Sequence, residues 1–371
     1  MKVAIVTLPL HTNYGGILQA FALQRVLENL GHEVEHLQPV PVKLHPKWKL
    51  PLVWCKRFIM RLFYKEKGLP VFMHPIKWIR KNTDDFIAKH INCRYVNYDC
   101  WDENIALGYD VVIFGSDQIW RPPFVPFIEH YFGSFLQKTT LPRFSYAASF
   151  GTDKNEFTEE QQRICGELLR DFSAVSVREI AGIDMCKSMF GVEPVQVLDP
   201  TFLLSREDYI SLFEQVIVKK SSGNLAVYIL DENPTVSDFI DRMAKQFTLI
   251  PFRTNSRVED SDASIYERQQ PPVEEWLRSF YDAELVITDS FHACVFSIIF
   301  KKPFICVGNK SRGSARFHTL LSLFGVEDRL VNVCEMKDYI PKPIDWNRVD
   351  SILYHKKRDA YNYLETALGN K

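Results

Sequence analysis

The chain has 371 residues, with 45 lysines and arginines against 46 aspartates and glutamates and a formal net charge of −1. That length exceeds what one core usually serves, so two domains around a shared cleft are expected. The balanced charge excludes a dominant electrostatic attraction to nucleic acid and leaves room for local patches.

The opening "MKVAIVTLPL" reads as a buried strand, with an apolar run too short for a signal peptide. No later stretch approaches the charge-free apolar length of a bilayer span, so a soluble protein able to touch a membrane surface is expected. Next comes "HTNYGG", in which Gly15 and Gly16 let the backbone turn tightly into the helix "GGILQAFALQRVLENLG", stopped by Gly31. Asn13, Tyr14 and Gly15 there can cradle an anion or a sugar; the plainer reading is a glycine-assisted helix start.

Residues 43–90 are rich in lysine, arginine, tryptophan and phenylalanine and poor in acids until their end. Such a segment suits an amphipathic insertion leaning on an anionic surface, or two ordinary helices whose cations face water. After the strand "DVVIFG", the stretch "FGSDQIW" offers Asp117 as a proton acceptor, Gln118 as a polar contact and Trp120 as a flat face for a sugar ring. Asp117 can equally be a cap.

Arg178 ends the strand "AVSVR", where a guanidinium can grip a carboxylate or phosphate, or else pair with Glu179. Asp199, in "VLDPTF", reads as a turn-former before Pro200 rather than a reactant. Further strands are predicted in "LAVYIL", "TLIPFR", "ELVITD" and "PFICVG". Their alternation with helices implies parallel α/β architecture, divided into a first domain over 1–204, a second over 205–345 and a helix over 346–371 that crosses back.

In "TDSFHACVF", His292 falls in the first turn of a helix opened by Asp289 or Ser290, where free N–H groups and the helix dipole favour an anion. The dipole disfavours a protonated imidazole, so a bound dianion is what restores its basicity. Beyond it, "NKSRGSARF" supplies Lys310, Arg312, Ser314 and Arg316 in a loop able to close over an anion.

The chain lacks G-x-G-x-x-G, a Walker loop, HExxH and G-x-S-x-G. Ser290 and His292 are too close on one turn to act as nucleophile and base, so covalent catalysis is not expected. The eight cysteines stand singly, without the CxxC pairs or close histidine spacing of a zinc site, which fits a reduced cytosolic protein.

Taken together, "NYGGILQAFALQ", "FGSDQIW", "SYAASFG", "SVRE", "VLDPTF", "TDSFH" and "SARF" resemble the polysaccharide pyruvyl transferase family from residue 3 to about 325. The resemblance implies a GT-B-like pair of Rossmann-like domains with parallel sheets facing a cleft. It also implies transfer of a pyruvyl group from phosphoenolpyruvate to a sugar of a surface polysaccharide or its lipid-linked precursor, forming a ketal.

By similarity, His292 matches the family's active-site histidine, Arg178 its donor-binding arginine and Asp117 an acid of the Gly-Ser-Asp loop. Many members read Ser-Arg-Leu-His where this chain reads Asp289-Ser290-Phe291-His292, so Ser290 stands in place of an arginine. Arg316, Arg312 or Arg253 can deliver that charge from a neighbouring loop. On this scheme His292 protonates the donor methylene and Asp117 takes the hydroxyl proton. Arg178, Ser290, Arg312, Ser314 and Arg316 bind the donor, while Asn13, Tyr14, Gly15, Gln118 and Trp120 bind the acceptor, with phosphoenolpyruvate as co-substrate and neither metal nor further cofactor. The alternatives are a GT-B glycosyltransferase with a nucleotide-sugar donor and a non-catalytic glycan-binding protein.

Overall fold

The computed structural model describes residues 1–40, 49–63, 75–97, 101–258, 260, 262–308 and 315–369. The first lobe runs β1 (Lys2–Val6), α1 (Tyr14–Asn29), β2 (Glu33–Pro39), α2 (Leu50–Phe63), α3 (Pro75–Ile79), α4 (Lys81–His90), β3 (Cys93–Val96), β4 (Val111–Phe114) and β5 (Arg143–Ser145). It continues through α5 (Glu159–Leu169), β6 (Ser176–Val177), α6 (Ile180–Met185) and β7 (Val195–Gln196). The second lobe runs α7 (Arg206–Glu214), β8 (Leu225–Tyr228), α8 (Pro234–Phe247), β9 (Pro251–Arg253), α9 (Val273–Asp282), β10 (Leu285–Thr288), α10 (Phe291–Ile299), β11 (Phe304–Val307), α11 (Ala315–Phe324) and β12 (Leu330–Val331). A last helix, α12 (Trp346–Ala367), follows.

Short apolar runs make the central strands, and β1, β4, β8, β10 and β11 are buried almost throughout because helices cover both faces. All pairings in both sheets are parallel. The first sheet has the order β3-β2-β1-β4-β5, and the second β12-β11-β10-β8-β9. The small β6-β7 ladder extends the first sheet past β5 through single bridges such as Ala148 to Val177. Two doubly wound sheets of this kind are a GT-B-like pair of Rossmann-like units.

One apolar core is continuous across the junction, joining Ile17 and Phe21 of α1 to Trp276, Phe280 and Phe296 of the second lobe. Tyr14 stacks on Trp276 at 5.1 Å between ring centres and donates its hydroxyl to the Pro271 carbonyl at 2.8 Å. The helix α12 reaches back, with Tyr363 donating to the Ser145 carbonyl at 2.7 Å and Lys357 to that of Leu204 at 2.8 Å. Among the described residues, no helix is long and apolar enough to cross a membrane.

Candidate functional site

In an open parallel sheet the strand order reverses at one point, and the loops leaving the flanking strands diverge there to form a crevice. In the first sheet that point lies between β1 and β4; in the second it lies between β8 and β10. Asn13 and Gly15 follow β1, Asp117 follows β4 and His292 follows β10. The topology therefore delivers residues from both lobes to one junction.

At its centre lies Arg178, just past β6 and buried. Its Nε donates to Glu179 Oε1 at 3.1 Å, Nη1 to Asp199 Oδ2 at 2.8 Å and Nη2 to Ser149 Oγ at 3.2 Å, while Asp117 Oδ1 stands 3.7 Å from Nη2. Burial alone would lower this guanidinium's pKa, but Glu179, Asp199 and Asp117 outweigh it and hold the group firmly charged. Arg178 thus organises carboxylates and does not wait as an open anion receptor.

One of those carboxylates meets the second lobe. Asp199 Oδ1 accepts from the backbone N–H of Thr201 at 3.0 Å and from its hydroxyl at 2.6 Å, which is the turn-forming role read from sequence. The sequence reading missed Oδ2, which lies 3.5 Å from His292 Nε2. At that separation the contact is an ion pair when the imidazole carries its proton and a loose approach otherwise. Burial raises the Asp199 pKa, yet hydrogen bonding and charge from His292, Arg178 and Thr201 prevail and hold it below the usual carboxylate range.

The other edge of the imidazole faces the start of α1. A Cβ built on Gly15 would lie 2.0 Å from His292 Nδ1, so only glycine lets the ring sit there. Asn13 caps α1 by accepting from the Gly16 N–H at 3.3 Å. Asp117 adopts φ +70°, and its loop is tied by Thr7, whose hydroxyl donates to the Ser116 carbonyl at 2.9 Å. Gln19 binds both the backbone N–H and the hydroxyl of Ser116. Ser290 precedes the first turn of α10, and its own N–H donates to Thr288 Oγ1 at 3.0 Å. Asp289 instead receives the N–H groups of Leu230 and Asp231, fastening the loop after β8.

Arg316 opens α11 and is buried. Its guanidinium lies 5.7 Å from the centre of the Phe291 ring, and that of Arg178 lies 4.5 Å from the same ring, so one aromatic side chain gathers both cations. Burial and the like charge of Arg178 push the Arg316 pKa down to about 10, still protonated at neutral pH. Lys310, Arg312 and Ser314 lie outside the described residues. Arg253 is paired with Glu232 beside the edge strand β9.

One acceptor expectation needs correction. Trp120 is fully buried in the first-lobe core, stacked on Phe132 at 5.0 Å with its indole N–H donating to the Tyr131 carbonyl, so it offers no face to a sugar. Tyr14 lies at the lobe junction, stacked and hydrogen-bonded as described above. Gln118 turns toward Gly151 and accepts from Arg121 at 3.3 Å.

A cavity of about 20 Å³ lies beside Arg178, Asp199, Phe291 and Arg316, room for a water molecule and too small for a sugar or a phosphate ester. The lobes are closed on each other. Among the described residues, no group of three or more His, Cys, Asp or Glu side chains converges to hold a metal ion.

Such a site, two Rossmann-like lobes meeting over titratable side chains at their strand ends, defines a GT-B-like architecture. The chain matches the polysaccharide pyruvyl transferase family over residues 13–311 and belongs to it. It is 28% identical over 147 residues to General stress protein 30 of Bacillus subtilis (strain 168), a match that covers 38% of this chain and only 40% of that protein. Among solved structures, it is similar to a co-structure of S. aureus MnaA with UDP, with a TM-score of 0.52 at 10% identity over 100% of this chain and 97% of the other. UDP-GlcNAc 2-epimerase of Neisseria meningitidis, bound to UDP-GlcNAc, gives a TM-score of 0.50 at 10% identity over 100% of both chains. At that identity the likeness is one of fold.

Proposed function

We propose that this protein transfers a pyruvyl group from phosphoenolpyruvate to two hydroxyls of one sugar, on a glycan or a lipid-linked precursor, with His292 as the acid. The reading rests on family membership and on one observation: an imidazole from the second lobe lies 3.5 Å from a buried carboxylate of the first. Asp199 engages Nε2 and thereby turns Nδ1 toward the bare backbone of Gly15. When the lobes part, that edge is the one exposed to a ligand entering between them.

His292 then gives its proton to the methylene carbon, the first sugar hydroxyl attacks the central carbon and Asp117 receives that hydroxyl's proton. The second hydroxyl displaces phosphate and gives its proton to His292, which is thereby restored, while the proton held by Asp117 leaves with the phosphate as the ketal closes. Two guanidinium groups face three carboxylates here, so the cluster carries one surplus negative charge when His292 is neutral. A donor bearing carboxylate and phosphate needs more cations than this, and Lys310 and Arg312 stand six and four positions before Arg316 in the chain. Arg316, held beside the Phe291 ring, brings a cation to the place where Ser290 has none.

The rival reading, a nucleotide-sugar donor, draws on the two solved folds, whose titles name UDP and UDP-GlcNAc. Incubation with labelled phosphoenolpyruvate and, separately, nucleotide sugars, each with glycan acceptors, distinguishes them. Phosphate release with ketal formation is expected; release of UDP alone supports the rival. His292→Ala is expected to keep its thermal transition and lose about 10²- to 10⁴-fold in turnover. Near-normal turnover in that variant excludes the assignment.

A further inference from the structure

The helix α2 leaves large apolar side chains in solvent. Leu52 is 69% exposed, Ile59 56%, Phe58 55% and Trp54 40%, and of its described side chains only Val53 is less than exposed. Had this been an ordinary surface helix, these residues would face the lobe and the cations would face water. At helical spacing Leu52, Cys55 and Ile59 form one stripe with Phe58 beside it.

The charge of the sequence that holds α2 is one-sided. Residues 43–67 include Lys43, Lys47, Lys49, Lys56, Arg57, Arg61, Lys65 and Lys67 against the single acid Glu66, in a chain whose total is −1. Apolar side chains exposed on a helix within a basic segment match a lipid–water interface with anionic headgroups. A second copy of this chain is a poor occupant, since a symmetric contact would bring two such basic segments together. In chain order α2 falls between β2, which pairs with β1 in the first sheet, and the helices α3 and α4. There Trp78 meets Tyr266, and Asn82 donates to the Gln270 carbonyl of the second lobe at 2.8 Å.

We infer that α2 seats the protein on an anionic membrane surface. The inference is independent of the donor, because it concerns where the molecule sits and not what it transfers. Its test is co-sedimentation of the full chain with vesicles of phosphatidylglycerol and phosphatidylcholine, against vesicles of phosphatidylcholine alone. Binding to the anionic vesicles, weakened by salt, is expected.

Phe58→Glu with Ile59→Glu should abolish it, and Lys56→Gln should weaken it about fivefold. All three side chains are exposed, so the thermal transition should not move. Equal binding to neutral vesicles, or anionic binding that survives the double substitution, overturns the inference. So does a monomer–dimer equilibrium in sedimentation velocity that the double substitution removes, since that makes a second copy the occupant.

Discussion

Asp199 is the residue on which the arrangement turns, and its two oxygens have separate tasks. One holds the turn at Thr201; the other is shared by Arg178 and His292. Asp199→Asn keeps the shape and removes the charge that steadies an imidazolium. It is expected to lower kcat about 10- to 100-fold with little change in the donor KM, and Asp199→Glu should recover part of the loss. An unchanged kcat would make the contact merely structural.

The same carboxylate sets a stability limb. Its folded pKa lies below the unfolded value, so its contribution is complete above the unfolded carboxylate pKa of about 4 and is lost as pH falls toward the folded one. Urea titrations across the acid range should therefore show the wild type losing stability below about pH 4 more steeply than Asp199→Asn. Gly15 acts on the ring from the opposite side. Because an added Cβ would meet Nδ1 at 2.0 Å, Gly15→Ala is expected to displace the imidazole and cost about 10-fold or more in kcat/KM, although Gly15 bears no chemistry. Retention of full activity would show that the ring does not work in this position.

At the scale of elements, legibility followed the range of the forces. Strands buried on both faces, such as β4, β8 and β10, announce themselves as apolar runs and were read directly. The sequence "EVEHLQP" of β2 was not singled out, because its glutamates and histidine disguise a strand held by parallel pairing to β1 and β3. His292 was legible because a strand-to-helix switch is local. The Asp199 partner was not, since the pair is 93 positions apart in the chain and Asp-Pro alone spells a turn. Trp120 misled for the opposite reason: its place beside a loop aspartate suggested exposure, while the aromatic cluster of Phe132 and Phe150 buries it. The helix α12 shows how a distant element reports on the first lobe. Tyr363→Phe deletes the hydroxyl that donates to the Ser145 carbonyl and touches Ser176, and about 1 kcal/mol of stability should go with it. A denaturation midpoint equal to wild type would mean that α12 docks through its apolar side chains alone.

The whole molecule is closed, and closure decides how a substrate arrives. On the proposed reading, with about 20 Å³ beside the Arg178–Asp199 cluster, donor binding waits on separation of the lobes, and the observed donor affinity is scaled by the open fraction. That fraction is governed by cross-lobe contacts remote from the chemistry, among them Gln270, whose amide donates to the Thr12 carbonyl at 2.6 Å. Gln270→Ala removes this strap without touching His292, Asp199 or Asp117. Stopped-flow measurement is expected to show a faster donor association rate, roughly twofold to tenfold for a bond worth about 1 kcal/mol. Turnover should fall at the same time, because the same closure aligns the imidazole with its carboxylate. If association and turnover both stay at wild-type values, the Gln270 strap does not govern access, and the opening motion must turn on contacts deeper in the shared core, such as the stack of Tyr14 on Trp276.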